Sequence, residues 1–176
     1  MTIYTVGHST RPIEDFIALL AAHGVGQLID IRTIPRSRTN PQFNRDTLPK
    51  TLERAGMAYG NMPALGGLRR ARPDSPNTAW RNPSFRGYAD YMQTSEFAEA
   101  VAQLIEIAQG KQTAIMCAEA VPWRCHRSLI ADALIVRGIE VREITSGIRS
   151  TPHALTPWAQ VSGTRLSYPA GQATTD

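Results

Sequence analysis

Cysteine is nearly absent from the 176 residues, with only Cys117 and Cys125 present. Two are too few for a secreted disulfide scaffold, and thiols this close read as catalytic, metal-binding, redox or simply buried. No apolar run approaches the roughly 20 residues that span a bilayer, so no membrane partner is expected. Met1 is followed at once by a strand-like Ile3–Val6. That leaves no charged leader before an apolar signal core, and a cytoplasmic location is expected. Internal repeats are lacking too. Acidic residues are scarce in one stretch. Between Arg32 and Arg86 there are eleven Lys/Arg against three Asp/Glu, while the rest of the chain carries eight against twelve. A charge split of this size points to an anionic partner, a nucleotide or nucleic acid, facing the middle segment.

What is present follows an alternating pattern. Ile3–Val6 reads as a strand and Gly7-His8-Ser9-Thr10 as a turn. A helix follows, with Thr10 as its expected N-cap, Phe16, Ile17, Leu19 and Leu20 on its apolar face, and Gly24 at its end. Gln27–Ile31 is a second strand, and such a βαβ opening implies parallel strands. A proline-rich polar loop leads to a short helix from Asp46 to about Ala55, a short strand at Met57–Tyr59, and a Gly66-Gly67 turn. Arg69–Pro83 shows no order. Phe85 to Met92 returns to helical spacing, and Ser95 is the expected cap of a helix closed by Gly110. Thr113–Met116 is a buried strand, a helix starts near His126, and Glu140–Ile144 is the last strand. The expectation is one three-layer α/β domain over residues 1–147, with a mostly parallel sheet and a basic, loop-rich insertion at about 32–86. The Ser/Thr/Pro-rich segment 148–176 would be a wrapping or flexible tail.

In open α/β sheets ligands bind outside the carboxyl ends of strands. The turns predicted there carry His8, Ser9, Asp30, Arg32, Ser37, Cys117, Glu119, Cys125, His126 and Arg127. A thiolate phosphatase needs Cys-x5-Arg, but Trp123 and Arg124 stand six and seven places after Cys117. A thioredoxin-type pair needs Cys-x-x-Cys, and here the separation is eight. Zinc has enough donors in Cys117, Glu119, Cys125 and His126, although neighbouring Cys125 and His126 seldom face one ion. No other cofactor is expected. A fourth reading gives proton transfer to Glu119 and Asp30, with Cys117 and His8 beside them and Arg32 and Arg127 holding an anion. The alternative for each arginine is a salt bridge to Asp30 or Glu119. Both thiols are expected reduced, with Cys117 the more reactive.

These motifs resemble the family of unknown function DUF488. The matching pieces are Thr5-Val6-Gly7-His8-Ser9, Asp30-Ile31-Arg32 with Pro35-Arg36-Ser37, Tyr59 through Pro63 to Leu65-Gly66-Gly67, and Met116-Cys117-Ala118-Glu119 through Cys125-His126-Arg127. They run in the family's order over about Ile3–Gly147. The resemblance implies a Rossmann-like α/β domain and marks Ser9, Arg36, Ser37, Gly66 and Gly67 with the others as signature residues, but it brings no reaction. The leading expectation is therefore an enzyme, a hydrolase or transferase acting on a phosphate-bearing nucleotide or nucleic acid. Its rival is a non-catalytic nucleic-acid-binding module using Arg36, Arg38, Arg69, Arg70 and Arg72 on phosphates, with Trp80 or Phe85 stacking on bases.

Overall fold

Period-two alternation builds the central sheet. In β1 (Thr2–Gly7) Ile3 faces one hydrophobic core while Tyr4 and Val6 face a second. β2 (Gln27–Asp30) sends Ile29 to the first core and Leu28 to the second. β4 (Thr113–Cys117) is buried along its whole length, with Ile115 and Cys117 in the first core and Ala114 and Met116 in the second. The computed structural model describes residues 1–171.

Helices close both faces. α1 (Ile13–Ala22) and α2 (Leu48–Arg54) cover one through Phe16, Leu20, Leu48 and Leu52. α3 (Pro83–Tyr91), α4 (Ser95–Ala108) and α5 (Arg127–Ile135) cover the other through Tyr88, Phe97, Leu104 and Ile130. With β3 (Ala58–Asn61), β5 (Glu140–Ser146) and β6 (Arg149–Pro152), the six-stranded sheet has the order β3-β2-β4-β1-β5-β6, antiparallel only at β6. This is the three-layer, Rossmann-like α/β fold that the sequence predicts. No helix among the described residues is long and apolar enough to cross a membrane.

The strand order positions the site. From β1 the chain crosses through α1 toward β2, and from neighbouring β4 it crosses through α5 in the opposite direction to β5. Helices leaving adjacent strands toward opposite faces open a crevice at the carboxyl edge.

Some boundaries differ from the sequence expectation. α1 starts at Ile13 behind Pro12 with no side-chain cap, so Thr10 stays in the turn. α4 is capped by Thr94, whose hydroxyl accepts from Phe97 N at 3.3 Å, rather than by Ser95. The segment 69–83 is ordered by a buried carboxylate remote in sequence. Asp90 accepts from Arg72 N at 2.8 Å, Ser75 Oγ at 2.6 Å and Asn77 Nδ2 at 2.7 Å. Trp80 stacks on Phe85, with ring centroids 5.0 Å apart, and meets the edge of Trp158.

Residues 148–171 continue the structure. β6 lengthens the sheet, and β7 (Gln160–Ser162) pairs with β8 (Arg165–Ser167) as a hairpin. Tyr168 is then fully buried, donating its hydroxyl to Asp132 Oδ2 at 2.8 Å. Asp132 on α5 also pairs with His153 at 2.8 Å and accepts from Thr156 N at 3.1 Å. Residues 172–176 of the predicted tail lie outside the described residues. Tyr168→Phe leaves a buried carboxylate oxygen short of a donor. Denaturant unfolding is expected to show a loss of about 1–3 kcal/mol; an unchanged midpoint would mean that this tie does not hold the C-terminal segment.

Candidate functional site

Three turns meet at the carboxyl edge because β2, β4 and β1 are neighbours. Pairing between β1 and β4 runs past the strand ends: His8 N donates to the Cys117 carbonyl at 2.9 Å and Ser9 N to that of Ala118 at 3.0 Å. Gly7 must lack a side chain there, since a Cβ would collide with the Glu119 carbonyl. Ser9 adopts a left-handed φ of +52°, a costly conformation for a residue with a Cβ.

That turn of the backbone brings the Ser9 carbonyl under His8 Nδ1 at 2.7 Å. A carbonyl only accepts, so Nδ1 carries the proton and Nε2 is left to accept from Arg32 Nη1 at 3.3 Å. The ring stacks on Phe43 at 4.2 Å. Burial, with the Arg32 charge beside it, pulls His8 down to about 4 against the opposing pull of the Ser9 carbonyl. His8 is therefore a neutral, oriented imidazole at neutral pH.

Asp30 has no exposed surface. Its carboxylate accepts from Arg32 Nε at 2.9 Å, Arg32 Nη2 at 2.7 Å, Arg32 N at 3.1 Å and the Tyr59 hydroxyl at 2.7 Å. Arg32 Nη2 also donates to the Phe43 carbonyl at 2.6 Å. A forked, two-point pairing of this kind fixes the guanidinium plane. Of its five N–H groups only one, on Nη1, is left without a partner among the described residues. The expectation of proton transfer by Asp30 gives way to a positioning role, because its oxygens are occupied and it does not line the cavity.

The thiols give the other correction. Cys117 ends β4 and Cys125 precedes α5, yet their sulfurs lie 2.7 Å apart, and both are free thiols. Arg127 Nη1 donates to Cys117 Sγ at 2.7 Å. Burial pushes the Cys117 thiol up. The hydrogen bond with Cys117 draws the Cys125 thiol down against the cost of burial, with His126 and Arg127 adding to the pull. Its sulfur also faces the amide of Arg127 at 3.5 Å, in the first turn of α5, where the helix dipole favours negative charge. The sequence expectation gives Cys117 the greater reactivity, whereas these contacts pull the Cys125 thiol down and burial pushes that of Cys117 up.

Arg127 was expected to hold an external anion. It is instead fully buried with all five N–H groups engaged. Glu143 takes Nη2 at 2.8 Å and Nε at 3.4 Å, the Ala120 carbonyl takes Nη2 at 3.0 Å, and Cys117 and the Glu119 carbonyl share Nη1. It does salt-bridge, but to Glu143 on β5 rather than to Asp30 or Glu119.

A cavity of about 460 Å³ opens over this arrangement. Of the sequence-predicted residues it brings together His8, Arg32, Arg36, Ser37, Gly67, Cys117, Glu119, Cys125 and His126. Ser9, Asp30, Gly66 and Arg127 stand behind its wall. Gly66 lets its turn pack on Thr33, where a Cβ would collide with the Thr33 hydroxyl. At Gly67 a Cβ would press on His126 Nδ1 at 3.1 Å. His126 Nε2 is buried with no partner among the described residues. Glu119 is exposed, its Oε1 accepting from Val121 N at 3.0 Å. Sequence reasoning missed Ile34, Leu68 and Tyr88 of the apolar wall, and also Arg124, while Phe85, expected to stack on a base, lines that wall. Ile34 and Leu68 are 65% and 81% exposed, and an apolar residue isolated in a polar loop was the available signal.

Among the described residues no three His, Cys, Asp or Glu side chains group as metal ligands. Glu119 turns to a backbone amide, and Cys117 faces a guanidinium where a metal would need a free thiolate. A family model described as Domain of unknown function DUF488 matches residues 12–134. That span takes in the turns after β2 and β4 and leaves His8, Ser9 and Glu143 outside. No curated protein and no solved structure matches the chain.

The depressed His8 gives a stability signature. The unfolded chain takes up this proton near 6.5 and the folded chain only near 4, so the stabilisation is complete above about 6.5 and fades as pH falls toward 4. Unfolding free energies from pH 7 to 4 are expected to drop by roughly 2–3 kcal/mol through this group. His8→Gln is expected to flatten that part of the profile; an equal slope in the variant would mean that His8 titrates normally.

Proposed function

The chain belongs to the DUF488 family, and we propose that it is a cytoplasmic, thiol-dependent enzyme, a hydrolase or transferase acting on a phosphate-bearing nucleotide or nucleic acid. The observation that carries this reading is that Cys125 and Arg32, which keeps one unpartnered N–H among the described residues, border the same cavity. Arg32, with Arg36 and Arg124 nearby, supplies charge-assisted donors for an anion. The wall of Ile34, Leu68, Phe85 and Tyr88 suits a flat apolar body such as a nucleobase.

The roles divide by what each side chain can reach. Cys125 Sγ attacks the electrophilic atom of the substrate, and the leaving group departs with its bonding electron pair. Water, or a second substrate, then displaces Cys125 from that atom while the Glu119 carboxylate takes the proton. Asp30 and His8 orient Arg32. Cys117 and Arg127 hold the attacking sulfur in place. His126 Nε2 is available to a polar group of the substrate.

A second observation favours a nucleic acid over a mononucleotide. A cavity of about 280 Å³ is lined by Arg69, Arg70, Arg72 and Arg165. The segment that carries Gly67 and Leu68 into the first cavity continues directly into Arg69, Arg70 and Arg72. Arg69 is anchored, its guanidinium 3.7 Å from the Tyr91 ring centroid, whereas Arg70 and Arg165 make no salt bridge among the described residues. The stacking once expected of Trp80 is taken up by Phe85, so phosphate contacts carry this reading.

A panel of nucleotides and oligonucleotides tests the proposal. Cys125→Ser is expected to lower kcat by roughly 10³-fold or more. Arg36→Ala, on an exposed loop, should weaken substrate binding by about tenfold or more. Arg70→Ala should lower the salt slope of oligonucleotide binding by about one unit. Full turnover by Cys125→Ser would overturn the thiol mechanism, and an unchanged salt slope the nucleic-acid reading.

A further inference from the structure

Two sulfurs in contact do more than the proposed transfer requires. A nucleophile needs a donor nearby, and an amide or a hydroxyl would serve. Here the neighbour is a second thiol, held at the end of β4 by Arg127 while Cys125 is held at the start of α5. Neither side chain has to leave its place for the sulfurs to meet. A disulfide needs them about 2.05 Å apart, and they stand at 2.7 Å. The separation of eight residues that argued against a bridge along the chain is therefore no obstacle in space. Cys125 also borders the cavity, with 6% of its surface exposed, so an oxidant of a few atoms can reach it.

We propose that Cys117 and Cys125 form a reversible oxidation site, in which a peroxide oxidises Cys125 and Cys117 resolves the product as an internal disulfide. The inference rests on the same Cys125 nucleophile as the proposed function but needs no substrate. In the first step Cys125 Sγ attacks a peroxide oxygen, the O–O bond breaks, and hydroxide or an alkoxide leaves. The sulfur becomes a sulfenic acid, oxidised by two electrons, and the peroxide is reduced. In the second step Cys117 loses its proton and attacks Cys125 Sγ. The S–O bond breaks, and the hydroxyl group leaves with that proton as water. A dithiol reductant returns both thiols through a mixed disulfide.

The bridge would have two consequences. It ties up the Cys125 sulfur and so switches off the proposed chemistry while the bond lasts. It also closes residues 118–124, which carry Glu119 and Arg124, into a covalent loop. Because the resolving thiol is already in contact, condensation competes directly with a second oxidation. Irreversible sulfinic acid is thereby held back.

The experiment uses the full reduced chain, treated natively with hydrogen peroxide and read by intact mass and peptide mapping. The expected product is lighter by about 2 Da, carries a Cys117–Cys125 cross-linked peptide, and reverts with a dithiol reductant. Cys117→Ser, or Cys117→Ala if the serine variant does not fold, is expected to gain about 32 to 48 Da on Cys125 instead. Wild-type protein that gains this mass with no lighter species would overturn the proposal, as would a lighter species lacking the cross-linked peptide. Failure of the enzyme reading shows up separately. A chain that forms the bridge but turns over nothing keeps this site and loses the proposed function, whereas an active chain without the bridge does the reverse.

Discussion

A single buried guanidinium sets the geometry on which the rest depends. Arg127 carries a permanent charge and five donors into a place with no exposed surface, and a charge so placed is tolerable only when every donor is met. Its partners come from separate parts of the chain: Glu143 from β5, Cys117 from β4, and two carbonyls from the turn between β4 and α5. Sheet register supplies the counter-charge. Glu143 is the partner of Thr5 across β1 and β5, accepts the Thr5 hydroxyl, and faces α5 through its pairing with Arg127. Removing one member of such a pair typically costs 3–5 kcal/mol, an order of magnitude taken from other buried pairs. The cost enforces one arrangement of the turn, and with it the position of both sulfurs.

Arg32 repeats the device with one difference that separates structure from function. Asp30 fixes its plane from below, and His8 and Phe43 take two further donors. One N–H on Nη1 remains without a partner among the described residues, and Arg32 borders the cavity. A guanidinium fully engaged holds the fold together, as Arg127 does. One nearly engaged is a rigid donor awaiting a ligand, preorganised because its neighbours have already restricted it. The neutral state of His8 belongs to this logic, since an imidazolium beside Arg32 would place two like charges in contact.

The sequence revealed the chain's layout better than its wiring. β1, β2 and β4 announce themselves by apolar runs and bounding turns, and their carboxyl ends had to converge once the sheet was read as parallel. What decides whether an arginine is free lies elsewhere. Glu143 stands 16 residues from Arg127 with no periodicity linking them, so the buried pairing was invisible. The contact between the thiols was hidden for a related reason: chain separation measures nothing across a strand-to-helix turn, where two sulfurs eight residues apart meet. Asp90 ordering the 69–83 segment and Asp132 gathering the C-terminal segment are likewise long-range pairings to buried carboxylates. Local composition there, rich in Pro, Ser and Arg, reads as loop because its order comes from partners, not from propensity.

The account's central claim is that this wiring draws the Cys125 thiol, which borders the cavity, toward its thiolate form. Ultraviolet thiolate absorbance of the reduced protein, followed against pH, tests it most directly. Thiolate absorbance is expected to appear below the pH at which an ordinary thiol, near 8.5, ionises, and that early signal is expected to be lost in Cys125→Ser. A wild-type protein without thiolate absorbance until above about pH 8 would contradict it.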